Sequence, residues 1–254
     1  MCCLFGLIDT ELRFTGKEKS KMFHALASAS EARGTDATGV AYDYSRTLHI
    51  YKRPIPGHKL NFYLRNDTRF AMGHTRMTTQ GIARRNYNNH PFRGIMQAGT
   101  FALAHNGVLD NDFSLYIVKG DNPFCLYFFP DCGLYLYAST EDILCQALRK
   151  IQAPLGKSRK IPVRCGEILR INQTGRLDRE TFDDSKLFRC RYPRLLMNDP
   201  YCRSFPHTAE GPTHLDELKT VALAFGYSPE DVDLLAAQGF TTDELEDLFY
   251  SGEI

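Results

Sequence analysis

The chain opens Met1-Cys2-Cys3-Leu4-Phe5-Gly6-Leu7-Ile8-Asp9. The run behind Met1 is apolar until Asp9 and reads as a strand, which puts the thiol of Cys2 at the strand's leading end. Removal of Met1 would leave Cys2 with a free α-amine and a thiol on one residue. An unperturbed thiol titrates near about 8.5 and an α-amine near about 7.7 to 8.0, so close to neutral pH part of the amine is unprotonated. It can take the thiol proton directly or through one water, a pairing suited to acyl transfer. A cysteine at a strand start is also a common buried apolar residue, so other segments must decide. Alternation sends Cys2 and Cys3 to opposite faces and makes Cys3 a core thiol.

From Lys17 to about Glu31, Met22, Ala25, Leu26 and Ala29 recur at spacings of three and four, which predicts a helix lying on a sheet. It should stop at Arg33-Gly34, with the glycine as the left-handed residue that follows a helix. Residues 39–53 alternate as two strands around a Tyr-Ser-Arg turn. Strand character returns at 69–77, 99–109, 114–120, 134–139 and 166–172, and "FFPDCGLYLY" reads as a hairpin turn between apolar strands. Residues 140–151 read as a helix with Thr140 as its N-cap, acidic residues in the first turn, and Ile143, Leu144, Ala147, Leu148 and Ile151 on one side. Runs of strands with few helices between them point to an α+β fold.

Around residue 190 the composition changes, with prolines at 193, 200, 206 and 212. The expected division is a domain over 1–190, a linker over 191–212 and a small helical module over 213–254. The last part holds three short helical segments, the second with Ser228 as cap and Pro229 at the first helical position. Leu215, Leu218, Val221, Ala222, Val232, Leu235, Leu245, Leu248 and Phe249 are the candidates for a miniature three-helix core. Such a module is either a packing appendage or a partner-docking unit.

The 254 residues are enough for one large domain with an appendage, and 31 Lys plus Arg against 30 Asp plus Glu leave a net charge of +1. A field that would recruit nucleic acid or an anionic membrane is therefore not expected. No stretch approaches the roughly 20 apolar residues of a membrane helix, and no basic segment precedes a secretory apolar core, so the expectation is a soluble, cytoplasmic protein. The eight cysteines are expected to be reduced. Cys125 and Cys132 lack the close spacing of a zinc pair and a nearby His, and neither a metal nor an organic cofactor is expected.

Four segments follow Met-Cys in order: "EARGTDATGVAY" (31–42), "GHTRMTTQG" (73–81), "NNHPF" (88–92) and "AHNGVLDN" (104–111). Together they resemble class II glutamine amidotransferases, the N-terminal-nucleophile (Ntn) glutaminase domains found in glutamine phosphoribosylpyrophosphate amidotransferase, asparagine synthetase and glutamate synthase. "STED" and "GEIL" extend a fainter resemblance to about residue 172. The resemblance implies a four-layer αββα sandwich of the Ntn hydrolase type, with glutamine as substrate. It makes Cys2 the nucleophile that attacks the side-chain amide. Arg76 matches the arginine that holds the substrate α-carboxylate, a role suited to a planar guanidinium. Asn106 and Gly107 match the oxyanion-hole pair, one through its side-chain amide and the other through its backbone N–H. Arg33 matches an arginine near the nucleophile, although a cation at a helix C-terminus reads equally well. His74 and Thr79 flank Arg76 as pocket positions. His90 reads as a structural histidine, because an N-terminal nucleophile carries its own base.

The chain departs from the family in one place. The family holds the substrate α-ammonium with an Asp some two dozen residues beyond Asn-Gly, and no such segment stands here; Asp131 has a comparable spacing but lies in the "FFPDCGLYLY" turn. "AHNGVLDND" runs almost at once into the strand "FSLYIVKG". The expected consequences are a sandwich shortened in one helical layer, an incomplete ammonium subsite and a sheet face left to a partner or to the C-terminal helices. The expected function is hydrolysis of the glutamine amide, releasing ammonia for an acceptor on another chain. The alternatives are an Ntn amidohydrolase acting on a different amide, or a catalytically impaired remnant acting as a binding protein.

Overall fold

A computed structural model describes residues 2–78, 82–97, 99–104, 107–110, 114–184, 214–223, 226–240 and 242–251. Its strands are β1 (Cys3–Asp9), β2 (Ala37–Tyr44), β3 (Thr47–Arg53), β4 (Phe70–Arg76), β5 (Phe92–Met96), β6 (Gly99–Ala104), β7 (Gly107–Asp110), β8 (Leu115–Lys119), β9 (Cys125–Phe129), β10 (Leu134–Ala138), β11 (Arg159–Ile161), β12 (Glu167–Ile171) and β13 (Leu177–Thr181). The helices are α1 (Gly16–Ser30), α2 (Glu141–Lys150), α3 (His214–Leu223), α4 (Pro229–Ala237) and α5 (Thr242–Ser251). One sheet has the order β11-β9-β10-β1-β4-β2-β3 and the other β13-β12-β8-β7-β6-β5.

β1 lies between β10 and β4, antiparallel to both, and all of its residues are buried. Cys3, Phe5 and Leu7 enter a core shared with α1 and α2, while Leu4 and Ile8 enter a second core shared with the other sheet. Burial on both faces explains why the opening run is continuously apolar instead of alternating. Phe23 of α1 anchors the helical side. Its ring sits 5.1 Å from Phe5 and 4.9 Å from Phe62. Gly73 of β4 makes room there, since a Cβ would come within 2.3 Å of the Phe5 ring.

The layers are thus helices, first sheet and second sheet, an α+β arrangement of antiparallel sheets. The inward residues of the second sheet include Ala102, Ala104, Leu115, Ile117, Leu169 and Ile171. On its outer side Leu103 and Val118 are 41% and 37% exposed.

α1 and α2 both form near their expected bounds. α1 starts at a capping box made by Thr15 and Glu18, and Thr140 caps α2 by accepting from Ile143 N. Gly34, however, does not adopt the left-handed conformation expected of it. A 3₁₀ turn over Glu31–Arg33 extends the helix, and Gly34 has φ 172°, which is extended backbone. Its lack of a side chain matters for packing: a Cβ would lie 2.3 Å from the Arg76 carbonyl carbon and 2.5 Å from Met77 N. The β2–β3 turn carries positive φ values at Ser45 (49°) and Arg46 (60°).

α3, α4 and α5 bury Leu218, Ala222, Val232, Leu245 and Phe249 in a core of their own, with Leu215, Tyr227 and Leu235 packed on it. Ser228 caps α4 and Pro229 is its first residue. The helices are not isolated, because Tyr87 packs on their core and α5 lies against β3. The expected linker over 191–212 and the side chain of Val221 fall outside the described residues. No helix among the described residues is long and apolar enough to cross a membrane.

At the far end of β1, Asp9 is fully buried and pairs with Lys19 at 3.1 Å. Its carboxylate also accepts from Arg13 N (3.0 Å) and Phe14 N (3.1 Å), fixing the turn into α1. Asp43, buried nearby, accepts from Arg69 N (2.8 Å) and Phe70 N (2.7 Å). Burial pushes its carboxyl from the ordinary 3.8 up to about 6, outweighing those hydrogen bonds and the field of Lys19. A carboxyl with a raised folded value makes the native state bind the extra proton, so its contribution to stability falls as pH rises between about 4 and 6. The shift of about two units corresponds to about 3 kcal/mol. Thermal melts of the wild type and Asp43→Asn at pH 4, 5, 6 and 7 should show the wild type losing ground to the variant across that window and running parallel above it. A constant difference at all four pH values would show that Asp43 titrates normally.

Candidate functional site

β1 and β4 pair so that Cys3 faces Thr75, and Cys2 therefore stands at the end of the sheet where Arg76 ends β4. The Cys2 thiol is partly exposed and lies 3.8 Å from the Met77 carbonyl oxygen, the residue next to Arg76. Cys3 is fully buried in the helix-side core. Alternation along β1 turns Cys2 to the same side as Leu4, toward the second sheet. Along β4, Met72 faces that side as well, and so His74 and Arg76 follow it.

Arg33 reaches the same place from the other direction. It follows α1, and its Nε donates to the Cys2 carbonyl oxygen at 3.1 Å. This contact holds the backbone of Cys2. Gly34 and Asp36 continue the segment: Asp36 N donates to Arg76 O (3.0 Å), and the Asp36 carboxylate accepts from Thr78 N (2.7 Å). The Thr78 backbone bond, with further help from the Thr78 hydroxyl and the charge of Arg76, holds the Asp36 carboxyl below its ordinary range.

Arg76 is 7% exposed. Its Nη1 donates to Asn88 O and to Asn89 Oδ1, each at 2.6 Å. A guanidinium carries its N–H donors in a planar fork, and these two bonds orient it. His74 is buried, with its ring 4.4 Å from that of His90, which in turn lies 4.3 Å from Phe92.

The second sheet approaches from the opposite side. β6 and β7 both pack against β4, and Ala104 pairs with Gly107 across the hairpin that joins them. Thr79 and Asn106 fall outside the described residues.

No protein-family model matches the chain, and no curated protein matches it in sequence. Solved structures do match. Glutamine phosphoribosylpyrophosphate amidotransferase from B. subtilis, complexed with ADP and GMP, superposes with a TM-score of 0.50 at 15% identity, covering 71% of this chain and 49% of that one. A structure described as the allosteric regulatory enzyme of purine biosynthesis gives a TM-score of 0.52 at 16% identity, with the same coverage. The chain has the fold of a class II glutamine amidotransferase. It spans about half the length of the amidotransferases it matches.

Within this amidotransferase fold, Asp131 lies away from the thiol. It belongs to the turn before β10, where Leu134 pairs with Asp9 at the opposite end of β1 from Cys2. Its carboxylate accepts from Lys157 N at 3.3 Å.

Three residues at the site were not singled out from the sequence. Asp36 lies inside "EARGTDATGVAY", but nothing local shows that it fastens the chain after β4. Asn88 and Asn89 lie in "NNHPF", where the histidine drew the attention and the asparagines bind the arginine. Gly34→Ala tests the close approach at this end of the sheet. The added Cβ meets backbone that cannot rotate away, and the variant should lose about 1 to 3 kcal/mol of stability. Urea denaturation measures this, and an unchanged midpoint would show that the segment gives way freely.

Proposed function

We propose that the protein hydrolyses the side-chain amide of glutamine through Cys2, by class II amidotransferase chemistry. The observation that carries the reading is the shared sheet end: the thiol of Cys2 lies 3.8 Å from the carbonyl of the residue following Arg76. With Met1 removed, the Cys2 α-amine takes the thiol proton and the sulfur attacks the amide carbon. The oxyanion of the tetrahedral intermediate is met by the Asn106 side chain and the Gly107 N–H. The intermediate collapses, and the amide nitrogen leaves as ammonia with the proton returned by the amine. Water, deprotonated by the same amine, cleaves the thioester and releases glutamate. Arg76 holds the α-carboxylate, His74 and Thr79 shape the pocket, and Arg33 positions Cys2 through its carbonyl. No cofactor takes part, and the ammonia acceptor is a separate chain.

The four-layer Ntn sandwich shortened in one helical layer is part of this proposal, as is the division into a domain over 1–190 and a helical module over 213–254. The partly exposed Leu103 and Val118 support the shortening. The position of Asp131 favours a second reading in which the amide belongs to a molecule other than free glutamine, because this carboxylate is not placed to meet an α-ammonium group near Cys2.

Intact-mass measurement should find Met1 absent, and the purified protein should release glutamate and ammonia from glutamine. Cys2→Ala should abolish that release; equal release from both proteins would sink the nucleophile assignment. Arg76→Lys should raise KM for glutamine by roughly tenfold to a hundredfold, as expected for a lost charge-assisted contact of about 1.5 to 3 kcal/mol. An unchanged KM would remove Arg76 from the substrate site. Hydrolysis of other primary amides without hydrolysis of glutamine would select the second reading.

A further inference from the structure

We infer that the three C-terminal helices act as a clasp on the segment that orients Arg76, and that Tyr87 is the pin through which they act. The consequence for catalysis rests on the proposed function; the mechanical part does not.

The segment between β4 and β5 ends in a short 3₁₀ turn over Asn86–Asn88, followed by Asn89, His90 and Pro91. A 3₁₀ turn of this length has little stability of its own, and an irregular segment stays in place only through what fastens it. Two buried cations do so from the first sheet. Arg76 binds Asn88 O and Asn89 Oδ1, and Lys52 of β3, 2% exposed, donates to Asn89 O (2.7 Å) and Pro91 O (3.3 Å). Each cation therefore gains acceptors from the segment, and the segment gains its anchors. A shift of Asn88 and Asn89 would strip Arg76 of both of these acceptors at once.

The third fastening comes from the C-terminal helices. The half-buried Tyr87 is the middle residue of the turn, immediately before Asn88, and its side chain packs on the core formed by Leu218, Ala222, Val232, Leu245 and Phe249. Its hydroxyl accepts from Arg85 Nη1 at 3.0 Å. α5 lies against β3, the strand that carries Lys52. The helices thus touch both the turn and the strand behind it. Because Tyr87 and Asn88 share a peptide bond, the packing of the ring limits where the Asn88 carbonyl can sit, and through it where Nη1 of Arg76 is held. Tyr87 is a positioning residue: it acts on the site only through Asn88, Asn89 and Arg76. A partner that displaced the helices, or a change that loosened their core, would weaken the hold on the substrate carboxylate without touching Cys2.

The test uses the full chain and three variants: Tyr87→Ala, Tyr87→Phe and Leu245→Ala, the last of which opens the helical core at a distance. Amide hydrogen exchange is followed peptide by peptide. Tyr87→Ala and Leu245→Ala should each speed exchange across 86–90 by about tenfold or more, while β1 and β10 keep their protection and show that the main fold is intact. Tyr87→Phe should retain wild-type exchange, because the packed ring and not the hydroxyl is the pin. Unchanged protection of 86–90 in Tyr87→Ala would overturn the clasp. In the glutamate-release assay, Tyr87→Ala should raise KM for glutamine about fivefold or more with kcat within about twofold, the pattern of lost substrate binding. Faster exchange with KM unchanged would overturn the coupling to Arg76. A wild-type protein that releases no glutamate would instead sink the proposed function, and exchange alone would then decide the clasp.

Discussion

Burial of β1 on both faces is the constraint from which the rest of the architecture follows. A strand with Phe5 and Leu7 on one side and Leu4 and Ile8 on the other needs a layer against each, and α1 with α2 supplies one while the second sheet supplies the other. The interior of β1 is thereby closed to solvent, and chemistry is left to its ends. At the Asp9 end a buried ion pair fixes the turn into α1. At the Cys2 end the thiol emerges beside Arg76, partly exposed.

A second theme is the use of buried cations to hold irregular chain. Lys19 binds Asn66 O and Thr68 O, Lys52 binds Asn89 O and Pro91 O, and Arg76 binds Asn88 O and Asn89 Oδ1. A cation removed from water needs acceptors, and a loop buried at its ends needs donors beyond those of regular structure. Each requirement meets the other. Burial still holds the Lys19 amine below its ordinary value, against the pull of Asp9. In the neighbourhood of Cys2 the same device fixes the guanidinium of Arg76 on the 88–89 segment.

Much of the fold was legible because its signals are local. The apolar run of β1, the three-and-four spacing in α1, the Thr140 cap and the Ser228-Pro229 start each act over a few residues. β5, β11 and β13 left weaker marks. β11 and β13, "RKI" and "LDRET", are short edge strands whose residues are mostly polar, and they become strands through the backbone of β9 and β12 beside them. Gly34 shows how a correct residue can carry a wrong reason. A glycine after a helix reads as a left-handed cap, yet here it is extended and small because the backbone of Arg76 and Met77 crosses over it.

By itself, the sequence determined that Cys2 leads an apolar strand, that a helix with one apolar face follows that strand, and that three short helices follow a proline-rich stretch. Those conclusions rest on residue order and on periodicity, both of which survive without coordinates. Tertiary structure decided what holds each group in place: Arg33 on the Cys2 carbonyl, Asn88 and Asn89 on Arg76, and Tyr87 in the core of the C-terminal helices. The physical reason is that these contacts join residues from 12 to more than 100 positions apart through single hydrogen bonds and packed rings. Such contacts impose no spacing on the chain; they arise only when the sheets and helices have closed around them.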